Sequence, residues 1–261
     1  MTSADALVRV STADSVATLT LDSPRNRNAL STPLMTELLA ALAGAVADEA
    51  VRVIVLSHTG PVFCSGADLK ETAAAYERGT VPAAMLGDVL TAVWECPKPV
   101  VARVAGPARA GGLGLVAAAD LAVCAQEATF AFTEVRIGVI PAVISATVLP
   151  RLTPRAAAEL YLTGETFDGR RAEQIGLVTA AVPAEELDAT VAGWCAALVR
   201  GAPGALAGAK ELLRRRPAPG GFRAELAELA ELSTGYFRSP EGREGVLAFR
   251  DKRSPSWVTG R

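Results

Sequence analysis

Short apolar runs alternate with longer amphipathic stretches along most of the chain. The apolar runs are rich in β-branched residues and show little polar alternation, which predicts strands of a sheet that is covered on both faces. They are Leu7–Val10, Val16–Leu21, Val53–Ser57, Val100–Val104 and Leu121–Ala125. The first two lie close enough to form a hairpin. A recurring order of strand, strand and helix therefore predicts an α/β fold.

The first amphipathic stretch predicts a helix that begins near Thr32. Threonine is a common N-cap, and Pro33 would take the first helical position, where its missing N–H costs nothing. Leucines and a valine recur at helical spacing after it and should face the core: Leu34, Leu38, Leu42 and Val46.

Beyond about residue 195 the pattern becomes entirely helical. Three stretches predict helices, at residues 203–216, 221–237 and 239–252, with Ser239 as an N-cap and Pro240 at the first helical position. No strands follow that these helices could cover, so they must pack on the core or on another subunit. The sequence thus predicts a core at residues 1–195 and a C-terminal helical region at residues 196–261.

Composition and charge narrow the choice of function. Half of the 261 residues are hydrophobic, which is enough for a full core, and the formal net charge is −2. This charge gives no long-range attraction to nucleic acid or to an anionic membrane. The segment Met1–Ala6 lacks the basic and apolar regions of a signal peptide, and no apolar run is long enough to span a bilayer. We therefore expect a cytoplasmic protein with neither a membrane nor a nucleic-acid partner.

The cysteines and the single histidine indicate no metal site. Cys64, Cys96, Cys124 and Cys195 are far apart in sequence, and we expect them to be reduced and buried. His58 is the only histidine, which excludes a two-histidine metal site and leaves no obvious Ser-His-Asp arrangement, and its position at the end of a strand predicts a loop residue. No cofactor fingerprint is present, so neither a cofactor nor a metal is predicted.

Two segments rich in small residues carry the candidate chemistry. Residues 61–70 and 110–115 each lie where a strand gives way to a small-residue turn and then to a helix. Each can therefore leave a backbone N–H unpaired, and two such donors can polarise one carbonyl oxygen. Glu134 stands in an apolar run, where desolvation would raise its pKa and suit it to proton transfer. The alternative is a glutamate at a sheet edge that points to solvent.

The order of five motifs resembles the enoyl-CoA hydratase/isomerase family, also called the crotonase superfamily, over nearly the whole chain. The motifs are Asn28-Ala29-Leu30, Phe63–Lys70, Ala110–Gly114, Phe132-Thr133-Glu134 and Phe249–Arg253. The resemblance implies a spiral of ββα turns with a C-terminal helical trimerisation region. It also implies a homotrimer, or a hexamer of two trimers, that binds acyl-CoA and stabilises an enolate-like oxyanion.

The resemblance also implies roles for individual residues. Ala67 and Gly111 would donate their backbone N–H groups to the oxyanion, and Glu134 would move protons. CoA, as part of the substrate rather than a cofactor, would lie along Arg25, Asn28, Ala67, Asp68, Leu69, Lys70 and Gly111. Phe249 and Lys252 would reach its nucleotide end in an adjacent subunit. Asp68 is also expected to hold its turn through a hydrogen bond from its side chain to the backbone.

The chain departs from the family pattern at the second acid. Hydratases with two carboxylates have a glutamate where this chain has Gly114, and Ala110 replaces a glycine. Residues 142–147 replace a glycine-rich stretch and predict a more apolar acyl pocket. With Glu134 as the single carboxylate, the sequence favours a hydratase but leaves two alternatives open. These are a Δ3,Δ2-enoyl-CoA isomerase and a paralogue that binds acyl-CoA without turnover.

Arg109 suggests a further hypothesis about the substrate. It lies two residues before Gly111, so it could pair with a distal carboxylate of a branched acyl group of the methylglutaconyl type. The alternative is a surface arginine that points outward.

Overall fold

A six-stranded sheet forms the centre of the fold. The computed structural model describes residues 6–68, 71, 83–215 and 222–258, and of residues 83, 84, 222 and 223 only the backbone. Its strands are β1 (Val8–Ala13), β2 (Val16–Leu21), β3 (Val53–His58), β4 (Val100–Val104), β6 (Leu121–Ala125) and β9 (Ala180–Val182). Their order in the sheet is β1-β2-β3-β4-β6-β9. Only the β1–β2 pair in this sheet is antiparallel, which confirms the predicted hairpin.

The hairpin turn is tighter than the sequence predicted. Strand β1 continues to Ala13, which pairs with Val16. Asp14 and Ser15 alone make the turn, with φ values of 48° and 63°. Two successive residues at positive φ match the right-handed twist of the flanking strands. The polar residues Ser11 and Thr12, expected in the loop, therefore belong to an exposed edge strand.

A second, three-stranded sheet carries the segments that lead into the site. It contains β5 (Ala108–Arg109), β7 (Thr129–Ala131) and β8 (Phe167–Asp168). Strand β5 pairs with β7 in parallel, so the ends of both strands lie on the same side. The first strand ends just before Gly111 and the second just before Glu134. These strands are too short to give a periodic sequence signal.

Helix α1 (Thr32–Ala47) begins one residue earlier than the sequence predicted. Its N-cap is Ser31, whose hydroxyl accepts a hydrogen bond from the Leu34 N–H at 3.4 Å. Thr32 is therefore the first helical residue and Pro33 the second, so the prediction of Thr32 as the cap was wrong. The predicted inward face is confirmed for the leucines, since Leu34, Leu38 and Leu42 are buried, whereas Val46 is partly buried.

The remaining helices of the core lie on both faces of the large sheet. They are α2 (Ala83–Trp94), α3 (Gly111–Ala118), α4 (Ala142–Val148), α5 (Pro154–Thr163), α6 (Gly169–Gln174) and α7 (Leu187–Leu198). One face of the sheet packs in a large cluster that includes α1, α2 and α3. The other face, with Val53, Val101 and Val123, packs against Leu187 and Val191 of α7. The predicted covering of both faces is confirmed.

The C-terminal region consists of α8 (Pro203–Arg214), α9 (Phe222–Arg238) and α10 (Pro240–Arg250). An ion pair of 2.5 Å ties α8 to the sheet, between the buried ammonium of Lys210 and Asp120. Ser239 caps α10 by accepting a hydrogen bond from the Gly242 N–H at 2.9 Å, as predicted. Several apolar residues of α9 and α10 remain exposed on this chain, among them Leu226, Phe237, Val246 and Phe249.

The four cysteines are free and buried, as predicted. Burial raises the pKa of the Cys64 and Cys124 thiols to about 12. The prediction for His58 was wrong, because this residue ends β3, is buried, and accepts a hydrogen bond from the Ala105 N–H through Nε2 at 3.1 Å. In the described part of the chain, no helix is long and apolar enough to cross a membrane. The same residues contain no cluster of side chains that could hold a metal ion.

Candidate active site

One cavity brings together the three residues on which the sequence-based prediction of the site depends. Its volume is about 300 Å³, and Ala67, Gly111 and Glu134 all line it. Other parts of its wall come from α1 and its approach, from α2, and from the segment that leads into α4. These residues are Leu30, Met35, Leu86, Ile140, Pro141, Ala142, Val143 and Ile144. The wall is predominantly apolar, as the replacement of the glycine-rich stretch predicted.

Backbone hydrogen bonds hold the two small-residue segments side by side. Cys64 and Ala108 form a parallel bridge, and the Arg109 N–H donates to the Cys64 carbonyl at 2.9 Å. The close approach needs a glycine in α3, because a Cβ at Gly112 would lie 2.8 Å from Cys64 Cβ and 2.9 Å from its carbonyl oxygen. The position of Gly111 relative to Ala67 is therefore fixed by main-chain contacts.

Local geometry leaves both backbone donors available. Gly111 is the first residue of α3, where a helical N–H has no acceptor within its own helix. Ala67 bridges to Leu30, whose N–H donates to the carbonyl of Gly66 at 2.8 Å. In this parallel pattern the neighbours of Ala67 make the bridging hydrogen bonds, so its own N–H takes no part in them.

Ala110 adopts a backbone conformation that glycine would accept more readily. Its φ is 46° and its ψ is −117°, a combination that costs an L-residue roughly 1–3 kcal/mol. The conformation turns the chain from β5 into α3 directly before Gly111. The strained conformation of Ala110 therefore helps to set the direction of the Gly111 N–H.

Glu134 begins a short 3-10 helix, Glu134–Ile137, directly behind the small sheet. The residue is only 8% exposed, and its Oε2 atom is buried without a hydrogen-bond partner among the described residues. Burial raises the pKa of this carboxyl above its usual value. The solvent-directed alternative is thereby excluded. Glu134 also lines the cavity, and a carboxyl group of raised pKa in such a wall is suited to exchange a proton with a bound molecule.

The place of the missing second acid is filled by an apolar side chain. A Cβ at Gly114 would lie 2.7 Å from Ile144 Cγ2 and 3.2 Å from Leu90 Cδ2. Ile144 lines the cavity, whereas Gly114 does not. The two departures from the family pattern are therefore one packing arrangement, in which α4 closes over α3 and leaves no room for a side chain at position 114.

The hypothesis that Arg109 binds a substrate carboxylate was wrong. Its guanidinium donates to the Thr129 carbonyl at 2.5 Å and to the Thr129 hydroxyl at 2.9 Å, and it does not line the cavity. These bonds lie along the pairing of β5 with β7. Arg109 therefore stabilises the small sheet instead of pointing outward or into the site.

Asn28 organises a loop through its side chain. It is fully buried, donates from Nδ2 to the carbonyls of Thr59 and Val62, and accepts through Oδ1 from the Ser23 N–H. A contact of this loop with CoA stays a prediction. The hydrogen bonds of Asn28 hold the loop before α1 against the segment that leads to Ala67.

Most of the other residues assigned to CoA are not part of the described cavity wall. Arg25 is exposed on the loop before α1, and Phe249 and Lys252 are exposed at the end of α10. None of these three lines the cavity. Leu69 and Lys70 lie outside the described residues. A contact of Arg25, Lys70, Phe249 or Lys252 with CoA stays a prediction.

Two acidic residues near Ala67 also line the cavity. Asp68 accepts a hydrogen bond from the Glu71 N–H at 3.2 Å, which confirms its predicted turn-holding bond. Glu71, which the sequence analysis did not single out, accepts through Oε2 from the Thr32 N–H at 2.7 Å. No local sequence pattern singled it out, because its partner Thr32 is distant in sequence.

Comparison with known proteins identifies the family. The sequence profile of the family described as "Enoyl-CoA hydratase/isomerase" matches residues 11–260. An enoyl-CoA hydratase structure from Mycobacterium avium is 47% identical, with a TM-score of 0.74, over 97% of this chain and 100% of that one. An enoyl-CoA hydratase structure from Shewanella pealeana is 30% identical, with a TM-score of 0.90, over 96% of each chain.

A relative named as a dehydratase also matches over most of its length. The carnitinyl-CoA dehydratase of Salmonella typhi is 33% identical over 248 residues, which are 92% of this chain and 93% of the relative. Together with the crotonase fold, these matches show the class of protein. The chain belongs to the enoyl-CoA hydratase/isomerase family and is an enzyme of that type.

The packing of Ile144 over Gly114 predicts opposite effects for two glycine-to-alanine changes in helices. Gly114→Ala should destabilise the fold by about 1–3 kcal/mol through overpacking. Gly44→Ala should stabilise it by about 0.5–1 kcal/mol, because its Cβ would have no neighbour within 4 Å and alanine is the better helix former. Urea unfolding measures both. If Gly114→Ala were as stabilising as Gly44→Ala, the packing explanation would be wrong.

Proposed function

We propose that this enzyme is an enoyl-CoA hydratase that uses Glu134 as its only acid and base. The observation that carries the proposal is the buried Glu134, whose Oε2 has no partner among the described residues, in the wall of the cavity that Ala67 and Gly111 also line. Hydration needs an oxyanion site and a group that moves protons, and these three residues can supply both.

The proposed reaction begins with polarisation of the thioester. The thioester oxygen accepts hydrogen bonds from the Ala67 and Gly111 N–H groups, which makes C3 of the conjugated double bond electrophilic. Glu134 takes a proton from water as the water oxygen bonds to C3, and the electron pair of the double bond moves into the enolate. Protonated Glu134 then returns that proton to C2 as the enolate collapses. One water is added, and the carboxylate is regenerated.

The same residues also support double-bond isomerisation as a second candidate. Glu134 would remove a proton from C2 of a 3-enoyl-CoA and return it to C4, through the same enolate. The absence of a second acid at position 114 favours this alternative, because one mobile carboxyl is sufficient for a proton shuttle. Assays with crotonyl-CoA and with a 3-enoyl-CoA distinguish hydration from isomerisation. The proposal expects hydration of crotonyl-CoA. A shift of the double bond in the 3-enoyl-CoA, without any hydration, would contradict it.

Removal of the Glu134 carboxylate is the direct test. We expect Glu134→Gln to lower kcat for crotonyl-CoA hydration by about 100- to 10,000-fold, the usual contribution of general acid–base catalysis. Binding of a saturated acyl-CoA should change little, because the amide has nearly the same shape. Glu127→Gln, at a residue on a turn outside the cavity, is the control. Wild-type binding without hydration or isomerisation would instead support a paralogue without turnover.

The raised pKa of Glu134 predicts the direction of the pH dependence. Hydration needs the carboxylate, so kcat/KM should rise with pH through a midpoint above 4.5, the ordinary value for glutamate. Because the folded state holds this proton more tightly than the unfolded chain, ionisation costs stability as pH rises through that window. The free energy of unfolding of Glu134→Gln should therefore increase, relative to that of the wild type, as pH rises. A constant difference would show that the carboxyl is not desolvated.

We also propose that the enzyme works as a trimer or as a hexamer of two trimers, assembled through its C-terminal helices. The support is the apolar surface that α9 and α10 leave uncovered on one chain, with Phe237 66% and Val246 53% exposed. Such a surface is costly in water and is typical of a subunit interface. Assembly would also bring Phe249 and Lys252 close to a neighbouring chain, where contact with the nucleotide of CoA is proposed.

A charge in this surface should weaken assembly. We expect Phe237→Glu to lower the mass observed in sedimentation equilibrium toward that of a monomer, because the interface would have to bury an unpaired carboxylate. Glu231→Gln, at an exposed polar residue of the same helix, should leave the mass unchanged. An unaltered mass for Phe237→Glu would place the subunit contact elsewhere.

A further inference from the structure

A second cavity of about 300 Å³ lies beside the first cavity, the one that Ala67, Gly111 and Glu134 line. The proposed reaction makes no use of this second cavity. One face of α2 and one face of α4 form most of its wall, because the lining residues recur at spacings of three and four. They include Gly87, Leu90 and Trp94 of α2 and Val143, Ala146 and Thr147 of α4.

The two cavities meet at Val143, which belongs to the walls of both. On α2, Leu86 lines the first cavity and the next residue, Gly87, lines the second. On α4, Ile144 lines the first cavity and Ala146 lines the second. The wall therefore continues from one cavity to the other along the groove between the two helices. An extended chain that passes Val143 leaves the first cavity and enters the second.

Small residues create the space in the second cavity. A Cβ at Gly87 would have no described atom within 4 Å, and the side chain of Ala146 is a single methyl group. The hydroxyl of Thr147 lies 3.2 Å from the Gly114 carbonyl and 3.1 Å from the Ile144 carbonyl, so its proton is used within the fold. These features suit the cavity to an apolar chain.

Trp94 gives the second cavity a fixed apolar surface. The guanidinium of Arg151 lies 5.0 Å from the centroid of the Trp94 ring, a cation–π contact. The same guanidinium donates to two carbonyls at the C-terminal end of α3, at 3.1 and 3.0 Å. Thr91 and Glu95, which also line the cavity, are exposed, so the cavity opens to solvent on their side.

We propose that the second cavity holds the far end of the acyl chain, so that the enzyme selects acyl groups longer than crotonyl. Gly87 and Ala146 then determine specificity by leaving this space open. The inference rests on the proposed function, because it places the thioester at Ala67 and Gly111. Each methylene group buried in the second cavity should favour binding by about fourfold. Such binding, remote from the reacting atoms, acts mainly by lowering KM.

A series of substrates that differ only in length tests the inference. The 2-enoyl-CoAs of 4, 6, 8 and 10 carbons are compared by kcat/KM. For the wild type we expect the ratio of the 10-carbon to the 4-carbon value to be about tenfold or more, mainly through KM. Gly87→Leu and Ala146→Leu fill the second cavity from different helices, so each should lower this ratio by about tenfold.

Gly193→Leu is the matched control, because Gly193 lies on α7, is exposed and lines neither cavity. It should leave the ratio unchanged. Gly87 and Gly193 are both helical glycines whose Cβ would meet no described atom within 4 Å. Neither leucine should therefore lower the melting temperature, since leucine is the better helix former.

Three results would overturn the inference. The first is a wild-type ratio near one, and the second is an equal loss on all four substrates in both filling variants. The third is a change of mass in sedimentation equilibrium for Gly87→Leu, which would show that the groove is a contact between copies of the chain. Calorimetry with the saturated acyl-CoAs of the same lengths separates this failure from that of the proposed function. Affinity that grows with length and is lost in both filling variants, without any hydration, would contradict the reaction and support the second cavity as the chain site.

Discussion

The contact between the segment around Cys64 and the start of α3 is the constraint on which the site depends. The Arg109 N–H bonds to the Cys64 carbonyl, and Gly112 lies so close to that residue that a Cβ could not be placed there. Because β5 pairs with β7, the same contact also fixes the strand that leads to Glu134. The positions of two backbone donors and one carboxyl thus follow from one close approach of two chain segments.

The large sheet was predictable because its strands are buried on both faces. Val100–Val104 and Leu121–Ala125 have the predicted bounds, since burial selects continuous apolar, β-branched runs. The errors lie where a contact with a residue elsewhere in the fold decides the local structure. Ser31 and Thr32 are both good caps, and the choice between them depends on where the chain enters the helix. His58 resembles a loop residue in the sequence, which does not show that its ring accepts a hydrogen bond from the Ala105 N–H.

The site was predictable to the extent that it is local in sequence. Ala67, Gly111 and Glu134 lie in motifs with a recognisable order of residues, and the structure brings them to one cavity. Arg109 was misinterpreted because a polar side chain beside a functional motif can equally bond to the main chain. Glu71 was missed for the opposite reason, and the packing of Ile144 against Gly114 was not predicted either. Both contacts join residues distant in sequence, which no local pattern records.

The use of main-chain donors has a consequence for how such an enzyme can diversify. No substitution other than one to proline can delete the N–H of Ala67 or Gly111, so the proposed oxyanion site is inherited with the backbone for as long as the fold survives. The side chains around it, at Glu71, Gly114, Glu134 and Ile144, can vary without losing it. Divergence can therefore alter which acyl group enters and where a proton goes, while the common first step persists. Proteins that share this backbone can therefore carry out different reactions that begin from the same proposed enolate.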